Sequence, residues 1–297
     1  MKYALSILLS LLILNGCTQV KTVLALTRST DNFLPLKQQP RVKYENGSEK
    51  FAEIISQNLD PAVRTIENKQ GTFKKQVIVY VPNSIESFTS YCASPYPSAC
   101  VIGYRLFISP RLIQQKERIP SVLTHELSHL QLTQDIGCWY YQTKLPVWFK
   151  EGLAVYMSNG GGAEKVTVQK AVAAIKQRKT ITPNGSGSLL FRKTAGSFGL
   201  KTHMFYRQSE LFVQWLHDLD PGKFKKIFFL LGQGKTLEET FKALYGFSVS
   251  QGWKQFICGL KYPKLITGRP KCRFMSIVPP LSADLYKQYR EHYQDNG

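Results

Sequence analysis

Polar residues are embedded in apolar stripes at two places near the middle of the chain, and both stripes have helical spacing. Val122, His125, His129 and Leu132 follow a 3,4,3 pattern, so one face of a helix buries two imidazoles beside apolar side chains. Val147, Glu151, Ala154, Val155 and Ser158 form a second stripe that turns the Glu151 carboxylate inward among small and apolar residues. Pro120 suits the first turn of the earlier helix, and Gly137 predicts its stop after Asp135. Gly152 permits close approach of the later helix to a neighbour, and the run Gly160 to Gly162 ends it.

The flanking pattern changes character along the chain. A helix is predicted near Gly47 to Ile66, a strand at Gln76 to Val81, a helix at Asn83 to Tyr91 and a strand at Tyr104 to Ser109. Helices then dominate: Ala163 to Lys179, Tyr206 to Leu219, Gly222 to Leu231 and Thr236 to Tyr245. The last opens on a capping box, Thr236-Leu237-Glu238-Glu239, and Gly246 follows it. Strands first and helices after predict an α+β fold with a helical second lobe. The Gly- and Ser-rich segment from about 180 to 203 reads as a long loop near the cleft.

The chemistry lies in His125-Glu126-Leu127-Ser128-His129, followed 22 positions later by Glu151. Residues four apart on a helix are about 40° apart around its axis, so both imidazoles can reach one metal ion. Glu126 is offset from His125 by about 100°. That offset keeps its carboxylate off the metal but near a water on the open side, where a general base is needed. A buried carboxylate such as Glu151 needs a partner, and zinc supplies one. The expected ligands of one Zn2+ per chain are therefore His125, His129 and Glu151.

These residues, with Trp148-Phe149-Lys150-Glu151-Gly152-Leu153-Ala154, resemble the gluzincin clan of zinc metallopeptidases, and most closely its peptidase MA-like branch. The likeness covers roughly residues 75 to 257, within an expected metallopeptidase-like domain at 43–260 and ahead of a C-terminal extension at 261–297. It implies a zincin-like fold: a small N-terminal sheet lobe with an edge strand over the cleft, here Arg105 to Pro110, then the zinc helix and a helical C-terminal lobe. An extended substrate can add to such an edge as a further strand. The resemblance also implies peptide-bond hydrolysis, with Glu126 as general base on a zinc-bound water. Tyr206 becomes the first candidate, and His203 the second, for donating to the charge developing on the substrate carbonyl. In one departure from the thermolysin-like pattern, Val155 rather than aspartate stands four positions after Glu151.

The first residues change the expected address. Lys2, an apolar stretch from Ala4 to Leu14 and then Asn15-Gly16-Cys17 resemble a bacterial lipoprotein signal, because that stretch is too short to span a bilayer. Residues 1–16 are the expected signal, Cys17 the lipidation site, and 17–42 either a tether or an extended segment packed on the domain. This places the protein on the cell envelope, and Thr18 is compatible with the outer membrane, facing the periplasm, in a Gram-negative cell. Acylation of Cys17 leaves five cysteines, an odd number. Short loops favour Cys92 with Cys100 and Cys258 with Cys272, leaving Cys138.

The net charge of +19 is unevenly placed, with no Asp or Glu from Lys165 to Ser209. That stretch holds Lys165, Lys170, Lys176, Arg178, Lys179, Arg192, Lys193, Lys201 and Arg207. It reads either as a solvated face or as a surface for anionic lipid or an acidic partner. No nucleic-acid motif accompanies the charge, and an export signal argues against such a partner. Two functions follow: an endopeptidase acting on peptide or protein substrates in the envelope, or a lipid-anchored zinc-binding assembly factor with little or no turnover. Retention of Glu126 favours the first.

Overall fold

The computed structural model describes residues 24–188 and 191–261. The signal segment, Cys17 and the C-terminal extension lie outside the described residues. Contacts divide the chain into two compact units, one of residues 1–64 and 73–130 and the other of residues 65–72 and 131–297. Among the described residues, no helix is long and apolar enough to cross a membrane.

The first unit carries a five-stranded mixed sheet. Its strands are β1 (Leu34–Leu36), β2 (Gln39–Tyr44), β3 (Val79–Val81), β4 (Ala99–Ile102) and β5 (Arg105–Ile108), in the spatial order β1-β2-β3-β5-β4. The pairs β2–β3 and β3–β5 are parallel, while β1–β2 and β4–β5 are antiparallel. Helix α1 (Glu49–Lys69) lies between β2 and β3 in the chain, and α2 (Ile85–Cys92) follows β3. Phe51, Ala52, Ile55, Leu59, Ala62 and Ile66 are all buried, the 3,4-spaced stripe expected of an amphipathic helix. An Arg41–Asp60 ion pair ties β2 to α1. Phe33, Tyr80, Phe88, Tyr91 and Phe107 form an aromatic core, in which Phe107 stacks on Tyr91 at 4.7 Å and on Tyr80 at 5.0 Å.

One expectation needs correction here. The strand through Phe107 is not an edge, because β5 sits between β3 and β4. A two-residue turn at Gly103 and Tyr104, with Gly103 at φ +62°, folds Ala99–Ile102 back onto it. A further strand therefore cannot add to β5. Of the two readings open for residues 17–42, the packed one describes residues 34–42. They pair into the sheet as β1 and most of β2, with Leu36 and Val42 buried. Their three apolar side chains alternate with polar ones too sparsely to stand out in sequence, and pairing alone recruits them.

The second unit is helical. After α3 (Ile119–Ile136), within which the boundary between the units falls, come α4 (Cys138–Thr143), α5 (Val147–Met157), α6 (Val168–Lys176), α7 (Thr202–Leu219), α8 (Pro221–Gly232), α9 (Leu237–Tyr245) and α10 (Val249–Lys261). Helices α5 and α7 pack along their length. Phe212 centres an aromatic cluster with Trp148, Trp215, Trp253 and Phe256. The capping box of α9 forms: Glu239 N–H donates to Thr236 Oγ1, and Thr236 N–H donates to Glu239 Oε2. Helix α6 is shorter than expected because Thr167 caps it, accepting from Lys170 N–H, and Arg178 ends it at φ +64°.

Cys92 and Cys100 are disulfide-bonded, joining the end of α2 to β4. Cys258 is also disulfide-bonded, and its expected partner Cys272 lies outside the described residues. Cys138 is a free thiol whose pKa burial pushes up.

Candidate metal centre

Helix α3 presents its ligand face as expected: Val122, His125, His129 and Leu132 are all buried. Their burial follows from spacing, since each lies three or four residues from the next. The two Nε2 atoms converge to 3.2 Å, and the rings stand at 82° to one another. Glu151 comes from the first turns of α5, a helix buried on almost every side in which Val147, Glu151 and Tyr156 alone are partly exposed. Ligand atoms of His125, His129 and Glu151 all lie within 4.8 Å of one another.

This donor set fits zinc. Two nitrogens bound tetrahedrally at 2.0–2.1 Å stand about 3.3 Å apart, close to the Nε2 separation. Two imidazoles and one carboxylate leave a fourth position for a reactant. Glu126 adjoins His125 and is half-buried, so it is neither a member of the ligand group nor sealed away from solvent.

Helix α5 is fixed against α7 by Gly152. A β-carbon there would lie 2.6 Å from the carbonyl carbon and oxygen of Ser209, far inside contact distance. The absence of a side chain sets the depth of α5, and with it the position of Glu151. Next to Glu151, Lys150 is buried, which sequence reading missed. Its ammonium donates to Tyr141 O at 3.1 Å and lies 4.4 Å from the Tyr141 ring centroid. Burial, reinforced by Arg192 and opposed by Glu151, lowers its pKa to about 8. The signal was present, since a lysine inside an otherwise continuous apolar helix has few ways to reach water. Its partner is not encoded locally.

Tyr206 is placed differently from expectation. Helix α7 begins at Thr202, so Tyr206 is a full turn inside it rather than at its start, and it is half-buried. Phe205, stacked on Phe198 at 5.9 Å, extends the helix backwards by giving its first turn a buried contact. His203 pairs with Glu164 at 3.7 Å. Arg207, counted in the basic segment, is internal to the fold. It pairs with Glu210 at 2.5 Å, its Nε donates to Val166 O and its Nη2 donates to Ala163 O. Burial still raises the Glu210 pKa despite that partner. The other basic residues of the segment are exposed.

A helix-borne pair of histidines with an intervening glutamate, joined by a carboxylate from a second helix in an α+β fold, defines a gluzincin-type metal protein. The model of the Peptidase MA superfamily matches residues 108–259, and the chain belongs to that superfamily of zinc metallopeptidases. Two structures of leukotriene A4 hydrolase, one described as from yeast and the other as from Saccharomyces cerevisiae, are similar to it, both with a TM-score of 0.46. Their sequence identities are 15% and 12%, over 88% and 89% of this chain. The chain spans 42% of the length of each. No curated protein matches the chain.

Proposed function

We propose that the chain is a zinc-dependent endopeptidase of the bacterial cell envelope, held at the membrane by lipid on Cys17. The observation that carries the chemistry is the convergence of His125, His129 and Glu151 within 4.8 Å, with Glu126 on the helix of the two histidines. His125, His129 and Glu151 would hold the ion. With zinc bound, the site has a Lewis acid for a water and for the scissile carbonyl. Glu126 accepts the water's proton and returns it to the departing amine. Tyr206, on the helix packed against α5, is the proposed donor to the carbonyl oxygen as charge develops there. The N-terminal lipoprotein-like signal supports the envelope address, and Thr18 after the acylated cysteine supports the outer membrane of a Gram-negative cell.

The test is Glu126→Gln in the full chain. The variant retains about one zinc per chain, as three ligands are untouched, and loses cleavage of an unfolded test protein by a factor of at least about a hundred. Cleavage at the parent rate overturns the role of Glu126. If the zinc-loaded parent cleaves no member of a broad peptide library, the binding or assembly function replaces the hydrolytic one.

A further inference from the structure

One turn before Glu151, the start of α5 forms the floor of a pocket that the metal centre does not use. Leu145, Pro146, Val147 and Trp148 line the floor, and Asn184 with the segments 186–188 and 191–193 and Phe198 line the walls. The walls are built against the floor. Gly187 N–H donates to Lys144 O at 2.7 Å, and Trp148 Nε1–H donates to Asn184 O at 2.8 Å. A β-carbon on Gly187 would lie 2.6 Å from the Leu145 backbone, so only glycine lets the segment seat this closely. Phe198 is anchored by its stack on Phe205 of α7.

The lining combines apolar surface with two cations. Phe191 is 83% exposed, and Arg192 and Lys193 beside it are exposed as well. Among the described residues, neither cation forms an ion pair. The chain offers no Asp or Glu within the whole stretch from 165 to 209 to neutralise them. Val147 and Glu151 are four residues apart and share one face of α5, and they are the two partly exposed positions of its first turns. Val147, which lines the pocket, and the Glu151 carboxylate thus share one side of that helix, about 6 Å apart along its axis. A ligand matching this lining has a short apolar stem to lie on Val147 and Phe191 and an anionic head for Arg192 and Lys193.

We infer that this pocket is a specificity site for an acidic side chain of a peptide substrate bound across the metal centre. The inference rests on the hydrolytic function above and narrows it to substrates with Glu or Asp near the cleaved bond. Arg192 supplies a planar fork suited to a carboxylate, and Lys193 adds a second positive charge.

The experiment uses the zinc-loaded full chain and paired fluorogenic peptides of mixed sequence that differ only by Glu or Gln at one position. At one position near the cleaved bond the parent prefers Glu by about tenfold in kcat/KM, the scale of one charge-assisted hydrogen bond. Arg192→Ala with Lys193→Ala abolishes the preference through KM on the Glu peptides. Arg192→Glu with Lys193→Glu shifts it to peptides carrying Lys, a gain that a misfolded protein cannot produce. Indifference of the parent to Glu or Gln at every position overturns the inference, as does a preference that survives both double variants. Should the parent cleave nothing, fluorescence anisotropy with the same uncleaved peptides decides separately. Tighter binding of the Glu peptide, lost in the double alanine variant, upholds the acidic site while the hydrolytic function falls; equal binding of both peptides overturns it.

Discussion

Gly152 shows how much one missing side chain can determine. Its neighbour across the contact is the Ser209 backbone, which cannot rotate out of the way as a side-chain tip would. In Gly152→Ala, α5 must move outward or α7 must bend, at a cost of about 1–3 kcal/mol, the usual range for overpacking a tight contact. Urea denaturation of the metal-free variant should report that loss, and zinc titration a weaker affinity, because Glu151 moves with the helix. An unchanged midpoint would show that the two helices can separate at no cost. The sequence carried this residue's meaning, since a glycine inside an apolar helix and next to a candidate ligand signals close approach. Lys150 was not legible in the same way. Its partner, the Tyr141 carbonyl and ring, sits on another helix and is supplied by the fold.

At the scale of elements, the hairpin of β4 and β5 and the disulfide from α2 act together. Cys92 ends α2, Cys100 lies in β4, and the bond closes a loop with a sequence separation of 8. Removing it as Cys92→Ser with Cys100→Ser returns loop entropy to the unfolded chain and costs about 2.5 kcal/mol. A thermal melt of the double variant beside the oxidised parent measures this, and coincident melts would mean that the hairpin holds α2 unaided. Periodicity located the strand at β5 and the helices around it because repeats of two or 3.6 residues survive in sequence. Which strand is outermost depends on the turn at Gly103 and on pairing partners far along the chain, and the edge was accordingly misassigned. The shift of α7 to an earlier start has the same origin, a tertiary contact between Phe198 and Phe205.

For the molecule as a whole, the candidate site predicts that zinc binding and folding are coupled. The three ligands come from two helices, with Glu151 22 positions after His129, so the unfolded chain offers no comparable site. At free zinc a hundredfold above the dissociation constant, binding stabilises the native state by about 2.7 kcal/mol. Chelation should therefore lower Tm in calorimetry, and Glu151→Gln should shrink the difference between zinc-loaded and chelated samples. A chelated sample that loses its zinc without a fall in Tm would count against this ligand set. The sequence by itself determined the candidate ligand residues, the helices that bear them and the family, because a metal motif on one helix face is local and its periodicity is written in consecutive residues. Only the tertiary structure decided the rest: that Glu151 reaches both histidines, that β5 is covered, that residues 34–42 belong to the sheet, and that Arg207 is spent internally while Arg192 and Lys193 face a pocket. Each of those depends on which distant segments meet, and contacts between residues far apart in the chain leave no period behind.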